Sequence, residues 1–176
     1  MSKLVSFWAD VDASDSFYGD AAAKLVKGSE TLEQDLFVQA FYGFEGYLEA
    51  TRFKPTFILD CLERFGPVVW IDADSALVKP VDVDGEVPAF VFERGKPLGH
   101  LHFWPDNELS RSVLEAWIEK CVDWPGGDHT AMIEVLASFD VEWGVLPDGL
   151  AVYRLSSTKV KARDLSGLPP DWKFVV

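Results

Sequence analysis

Cysteine is scarce in this sequence, with only Cys61 and Cys121 among 176 residues. A secreted disulfide framework uses more, so buried free thiols in a reducing compartment are expected. No apolar run is long enough to span a bilayer, and the opening MSKLVSFWAD has no apolar signal core. The expectation is a cytoplasmic protein without membrane insertion. Basic residues are few as well, 16 Lys and Arg against 29 Asp and Glu, for a formal net charge of −13. That balance argues against broad electrostatic binding to nucleic acid or anionic membrane. It leaves open a nucleic-acid acceptor held at a local site, beside a glycan, protein or small-molecule one. Gly-x-Ser-x-Gly, a P-loop and G-x-G-x-x-G are all absent, so serine hydrolase, P-loop NTPase and dinucleotide oxidoreductase readings have no support.

What is present is a globular composition, 48% apolar and 14% aromatic, on a chain of the length of one domain with a sizeable core, residues 1–176. There is no internal repeat and no linker. Leu4 to Ala9 reads as a first strand ending at Asp10, and a helix follows from about Ser16 to Lys27, with Ser16 as its N-cap and Gly28 past its end. DVDASDSFYGD between them lacks the glycine position and closing glutamate of a calcium loop. Residues 30–53 stay ambiguous: Phe37, Phe41, Tyr42, Phe44 and Tyr47 can form a lid, a short helix or core.

Pro55 to Phe65 reads as a helix with Phe57, Ile58, Cys61, Leu62 and Phe65 on one face, stopped by Gly66-Pro67. Ala89–Phe92 and Leu98–Phe103 read as strands. Asp106 or Asn107 caps a helix running to Cys121, PGG at 125–127 breaks the chain, and a helix from about Asp128 to Phe139 leads to a strand at Val141–Leu146. Strands alternating with helices predict an α/β layered domain with a mainly parallel central sheet flanked by helices.

VVWIDADSALVKP, Val68 to Pro80, is the stretch that carries chemistry. An all-apolar strand covered on both faces runs straight into Asp72 and Asp74. Ligands bind outside the carboxyl ends of strands in such sheets, and Asp10, Asp72 and Asp74 all fall there. Two carboxylates one residue apart repel unless a cation or solvent screens them. A hard ion, Mg²⁺ or Mn²⁺, takes oxygen ligands and keeps positions for water and substrate phosphates. The plain alternative is a strand end whose acids face water.

The stretch KPTFILDCLERFGPVVWIDADSALVKPVD is similar to the centre of the nucleotide-diphospho-sugar transferases, the metal-dependent glycosyltransferases of GT-A fold. LGHLHFWPDNELSRSVLEAWIEKC, DHTAMIEVL and VEWGVLPDGL resemble that family's later segments, in order, over roughly residues 4–155. The resemblance implies a single GT-A, Rossmann-like domain that transfers a sugar from a nucleoside-diphosphate-sugar, with UDP as the nucleotide, to an unknown acceptor. It implies Asp72 at the ribose or metal and Asp74 as a direct ligand of Mn²⁺ or Mg²⁺. Lys54 would reach the diphosphate or sugar, Asp128 would sit beside the transferred sugar, Asp10 near the base, and Gly99 would let backbone approach the sugar.

The sequence departs from the family pattern twice. No histidine follows His129 to serve as a late third metal ligand, and His129 itself stands where glutamine is expected. Each residue has a bland reading beside this one: a solvent Lys54, an Asp128 that only caps its helix, structural or acceptor-side His100 and His102, and core roles for Trp8, Tyr18 and Tyr42. Two rival functions remain at this point. One is a haloacid-dehalogenase-type phosphohydrolase, which also ends a strand in Asp-x-Asp but generally wants Thr or Val where Ala76 stands. The other is a donor-binding or scaffold protein with a decayed site.

Overall fold

A computed structural model describes residues 2–9, 17–147, 149–154 and 174–175. Asp10 and Ser16 lie outside the described residues. In chain order the elements are β1 (Lys3–Ala9), α1 (Phe17–Thr31), β2 (Leu36–Phe41), α2 (Tyr47–Arg52), α3 (Lys54–Phe65), β3 (Val68–Ile71) and β4 (Ser75–Leu77). They continue with β5 (Ala89–Glu93), β6 (Lys96–Trp104), α4 (Glu108–Asp123), α5 (Asp128–Ser138), β7 (Gly144–Val145), β8 (Ala151–Arg154) and β9 (Phe174–Val175).

The central sheet has six strands in the order β2-β1-β3-β6-β5-β7. β1 is parallel to β2 and β3, and β5 is parallel to β7, while β6 runs antiparallel to both β3 and β5. The sheet is therefore mixed, with its parallel majority on the β1 side. The antiparallel pair β5–β6 is a hairpin closed by Arg94 and Gly95, whose φ angles of 52° and 77° are both positive, as a two-residue turn of the primed type requires. A second sheet, β4-β8-β9, stands apart from the first.

All four residues of β3 are buried, as an apolar strand covered on both faces demands. α3 presents Phe57, Ile58, Cys61 and Leu62 to the core and ends at Gly66, whose φ of 77° only glycine adopts freely. Facing it, α4 buries Val113, Leu114, Trp117 and Cys121 and starts at Asn107, whose side chain accepts a hydrogen bond from the Ser110 amide at 2.9 Å. Phe37, Phe41 and Phe44 pack on this core, whereas Tyr42 and Tyr47 are exposed. Both cysteines are buried free thiols.

Three expectations need correcting. Gly28 does not end α1, which continues to Thr31. The ambiguous stretch holds a strand, β2, besides the short helix α2. The strand expected over Val141–Leu146 shrinks to Gly144–Val145. No helix among the described residues is long and apolar enough to cross a membrane.

Candidate active site

β3 ends at Ile71, and the next residue already belongs to the site. Because β6 runs antiparallel to β3 with Ile71 opposite Leu101, its first half overhangs the carboxyl end of β3. The Asp72 amide donates to the His100 carbonyl at 2.9 Å, extending the ladder by one rung. The chain then turns at Ala73 and Asp74 before β4 begins. Asp72, Asp74, Gly99 and His100 thus meet at the rim of one sheet. They line a cavity of about 280 Å³ whose other walls include Trp8, Tyr18, Tyr47, Lys54, Asp128 and His129. Lys54, Asp72, Asp74, Gly99 and Asp128, five of the residues singled out in the sequence, are therefore brought together.

Lys54 is the hub of this arrangement. It opens α3, is only 7% exposed, and sends its ammonium between two carboxylates, 2.9 Å from Asp72 Oδ1 and 2.8 Å from Asp128 Oδ2. The same Nζ donates to the Gly99 carbonyl at 3.3 Å and lies 5.2 Å from the centre of the Trp70 ring. Burial alone would lower its pKa, but the charges of Asp128 and Asp72, and hydrogen bonds to both, hold it above the ordinary lysine value. Lys54 is a fixed internal cation, not a surface lysine.

Each of these aspartates is held by a tryptophan that the sequence did not single out, Asp72 through its carboxylate and Asp128 through its backbone. The Trp70 indole N–H donates to Asp72 Oδ1 at 2.8 Å, and the Trp117 indole N–H donates to the Asp128 backbone carbonyl at 2.9 Å. Trp70 stands two residues before Asp72, so strand alternation alone could have placed both on one face. Nothing in the local sequence links Trp117 to Asp128. Nor is Asp128 a helix cap: Gly127 holds that position in α5, and the Asp128 carboxylate turns to Lys54.

The histidines separate. His100 lines the cavity, and burial lowers its pKa, so it is neutral near pH 7. His102 is fully buried behind it, stacked near Trp70, and accepts the Trp104 indole N–H on Nδ1 at 2.6 Å. Burial holds its pKa well below the histidine range. His129 Nε2 meets the Pro97 carbonyl at 2.8 Å, and its ring lies over Gly99, where an added Cβ would come within 3.3 Å of it. The missing side chain at Gly99 makes room for that imidazole.

Tyr18 and Tyr47 stack on the opposite wall, ring centres 6.3 Å apart. Partial burial raises both phenol pKa values, with the Tyr18–Tyr47 pairing and the carboxylates Asp72 and Asp74 adding to the effect, so both are neutral. Tyr42 lies outside this wall, edge-on to Trp8 at 5.8 Å. Among the described residues no three His, Cys, Asp or Glu side chains converge as a complete metal cage. Asp72 and Asp74 form an all-oxygen pair at the cavity edge. Mg²⁺ and similar ions are held by one or two carboxylates when substrate phosphates complete the shell, and the pair fits that demand.

No family model matches the sequence, and no curated protein matches it. Solved structures do. One is a glycosyltransferase involved in the glycosylation of the major capsid of PBCV-1, 8% identical, with 82% of each chain covered and a TM-score of 0.58. Another is the apo structure of the bifunctional glycosyltransferase WbbM, 9% identical, covering 75% of this chain and 36% of that one, with a TM-score of 0.52. At these identities the likeness establishes the fold, a six-stranded mixed sheet flanked by helices that this chain shares with glycosyltransferases.

Proposed function

We propose that this chain is a glycosyltransferase that binds a nucleoside-diphosphate-sugar, with UDP as the nucleotide, in the cavity at the end of β3 and passes its sugar to an acceptor. The observation that supports this reading is the meeting of Asp72, Asp74, Lys54 and Asp128 in one cavity, at the sheet edge where such folds bind ligands. Asp72 and Asp74 would hold Mn²⁺ or Mg²⁺, which when bound neutralises charge growing on a departing diphosphate. Lys54 supplies a protein cation beside Asp72. Asp128, held by Lys54 and Trp117, is placed to orient sugar hydroxyls. The stacked Tyr18 and Tyr47 offer an aromatic wall.

A thermal-shift series of nucleoside diphosphates with and without Mn²⁺ tests the reading. UDP should stabilise the protein only when the ion is present, by about 2.7 kcal/mol at a hundredfold excess over the dissociation constant. Equal stabilisation in EDTA counts against metal-linked donor binding. An aspartyl-phosphate trapped at Asp72 would instead establish the phosphohydrolase.

A further inference from the structure

Lys54 makes a contact that the proposed function does not require. A lysine reaching toward a diphosphate needs a path to the cavity, yet here the ammonium is spent on protein oxygens: Asp72, Asp128 and the Gly99 carbonyl, all within 3.3 Å. One of those oxygens, Asp72 Oδ1, belongs to the carboxylate expected to meet the metal, and it also carries the Trp70 indole bond. A carboxylate so engaged has one oxygen left for another cation. Two cations facing one carboxylate across a partly buried site repel each other.

On the strength of the function proposed above, we propose that Asp72 and Asp128 form a cation seat which Lys54 occupies between turnovers. A divalent ion arriving with the donor at Asp72 and Asp74 takes Asp72 over from the ammonium. Lys54 then keeps Asp128 and turns its freed N–H groups toward the donor phosphates. No proton moves: one ammonium contact leaves Asp72 as one metal contact forms, and the two added charges of the ion are met by Asp74 and by the donor phosphates that arrive with it. It gives Lys54 two successive tasks, protecting a buried carboxylate pair from repulsion and then binding substrate. It also makes tight metal binding depend on donor phosphates, since only they give the displaced ammonium a new partner.

Mn²⁺ affinity measured by titration calorimetry without nucleotide tests this directly. Removing the competitor in Lys54→Met should tighten Mn²⁺ binding at least roughly tenfold and make the melting temperature rise far more with Mn²⁺ than in the native protein. The apo variant should melt lower, because two carboxylates lose their cation. Lys54→Arg, which keeps the charge and can grip a carboxylate with two N–H groups, should weaken Mn²⁺ binding. If Lys54→Met does not fold, Lys54→Arg decides alone: weaker binding supports the exchange, and equal or tighter binding overturns it. Unchanged or weaker Mn²⁺ affinity in Lys54→Met also overturns it. If UDP with Mn²⁺ still stabilises the native protein in that case, the glycosyltransferase reading stands without the exchange. No Mn²⁺ binding to any form, with or without UDP, sinks both.

Discussion

Asp74 occupies a turn two residues beyond Asp72, on the same cavity as Lys54 and Asp128. If it ligates the metal, its charge matters more than its shape. Asp74→Asn keeps the size and one oxygen, so sugar transfer should fall by roughly two to four orders of magnitude. Relieving repulsion with Asp72 should leave the apo melting temperature unchanged or higher. Activity that falls only together with stability would mark Asp74 as structural. His102 makes the second residue-scale prediction. Its folded pKa is depressed by burial, so the unfolded chain takes up a proton first as pH falls below about 6.5. Stability is full above that value and is lost as the pH drops further. Thermal melts from pH 7.5 to 5 should show this slope, and His102→Gln should flatten it. A slope unchanged in the variant would assign acid sensitivity elsewhere. Asp72 and Asp74 were legible because they stand one residue apart directly after an apolar strand. Trp117 was not, since its partner Asp128 is eleven residues away, beyond the end of α4.

At the scale of elements, legibility followed the local signals. α3 and α4 were read within a residue or two, because a proline, a terminal glycine and an Asn107 cap bound clear apolar faces. Replacing Asn107 by Ala should cost about 1 kcal/mol, seen as a lower denaturation midpoint with nucleotide binding intact. A larger loss would mean that the bond from its side-chain amide to the Glu86 carbonyl matters as well. β2 was missed for a definite reason. Phe37, Phe41 and Phe44 recur at helical spacing, while the strand they partly belong to is an edge strand, half-buried throughout, without clean alternation. Gly28 misled because a glycine can sit inside a helix; nothing lies within 4 Å of its missing Cβ, so no packing demand explains it.

For the whole molecule, the α/β layering was evident from alternating patterns, but the antiparallel placement of β6 was not. Strand direction depends on connection length and hand, and the tight Arg94-Gly95 turn alone could have disclosed the hairpin. That reversal matters to the site, because it carries Gly99 and His100 back over Asp72. The net charge of −13 is a property of the entire surface and bears on solubility and long-range steering, not on the fold.

Cys61 and Cys121, on the facing helices α3 and α4, are buried, and burial pushes their thiols up to about 12 and about 11. The molecule thereby carries its own reporters of opening. A thiol reagent at pH 8 can react only when the seam between those helices parts, so labelling should be at least ~1,000-fold slower in buffer than in urea. Both sulfurs should then react at one common rate, and UDP with Mn²⁺ should slow that rate by the factor by which it stabilises the fold. Two different rates, or one that ignores the nucleotide, would show the seam breathing locally while the cavity stays intact.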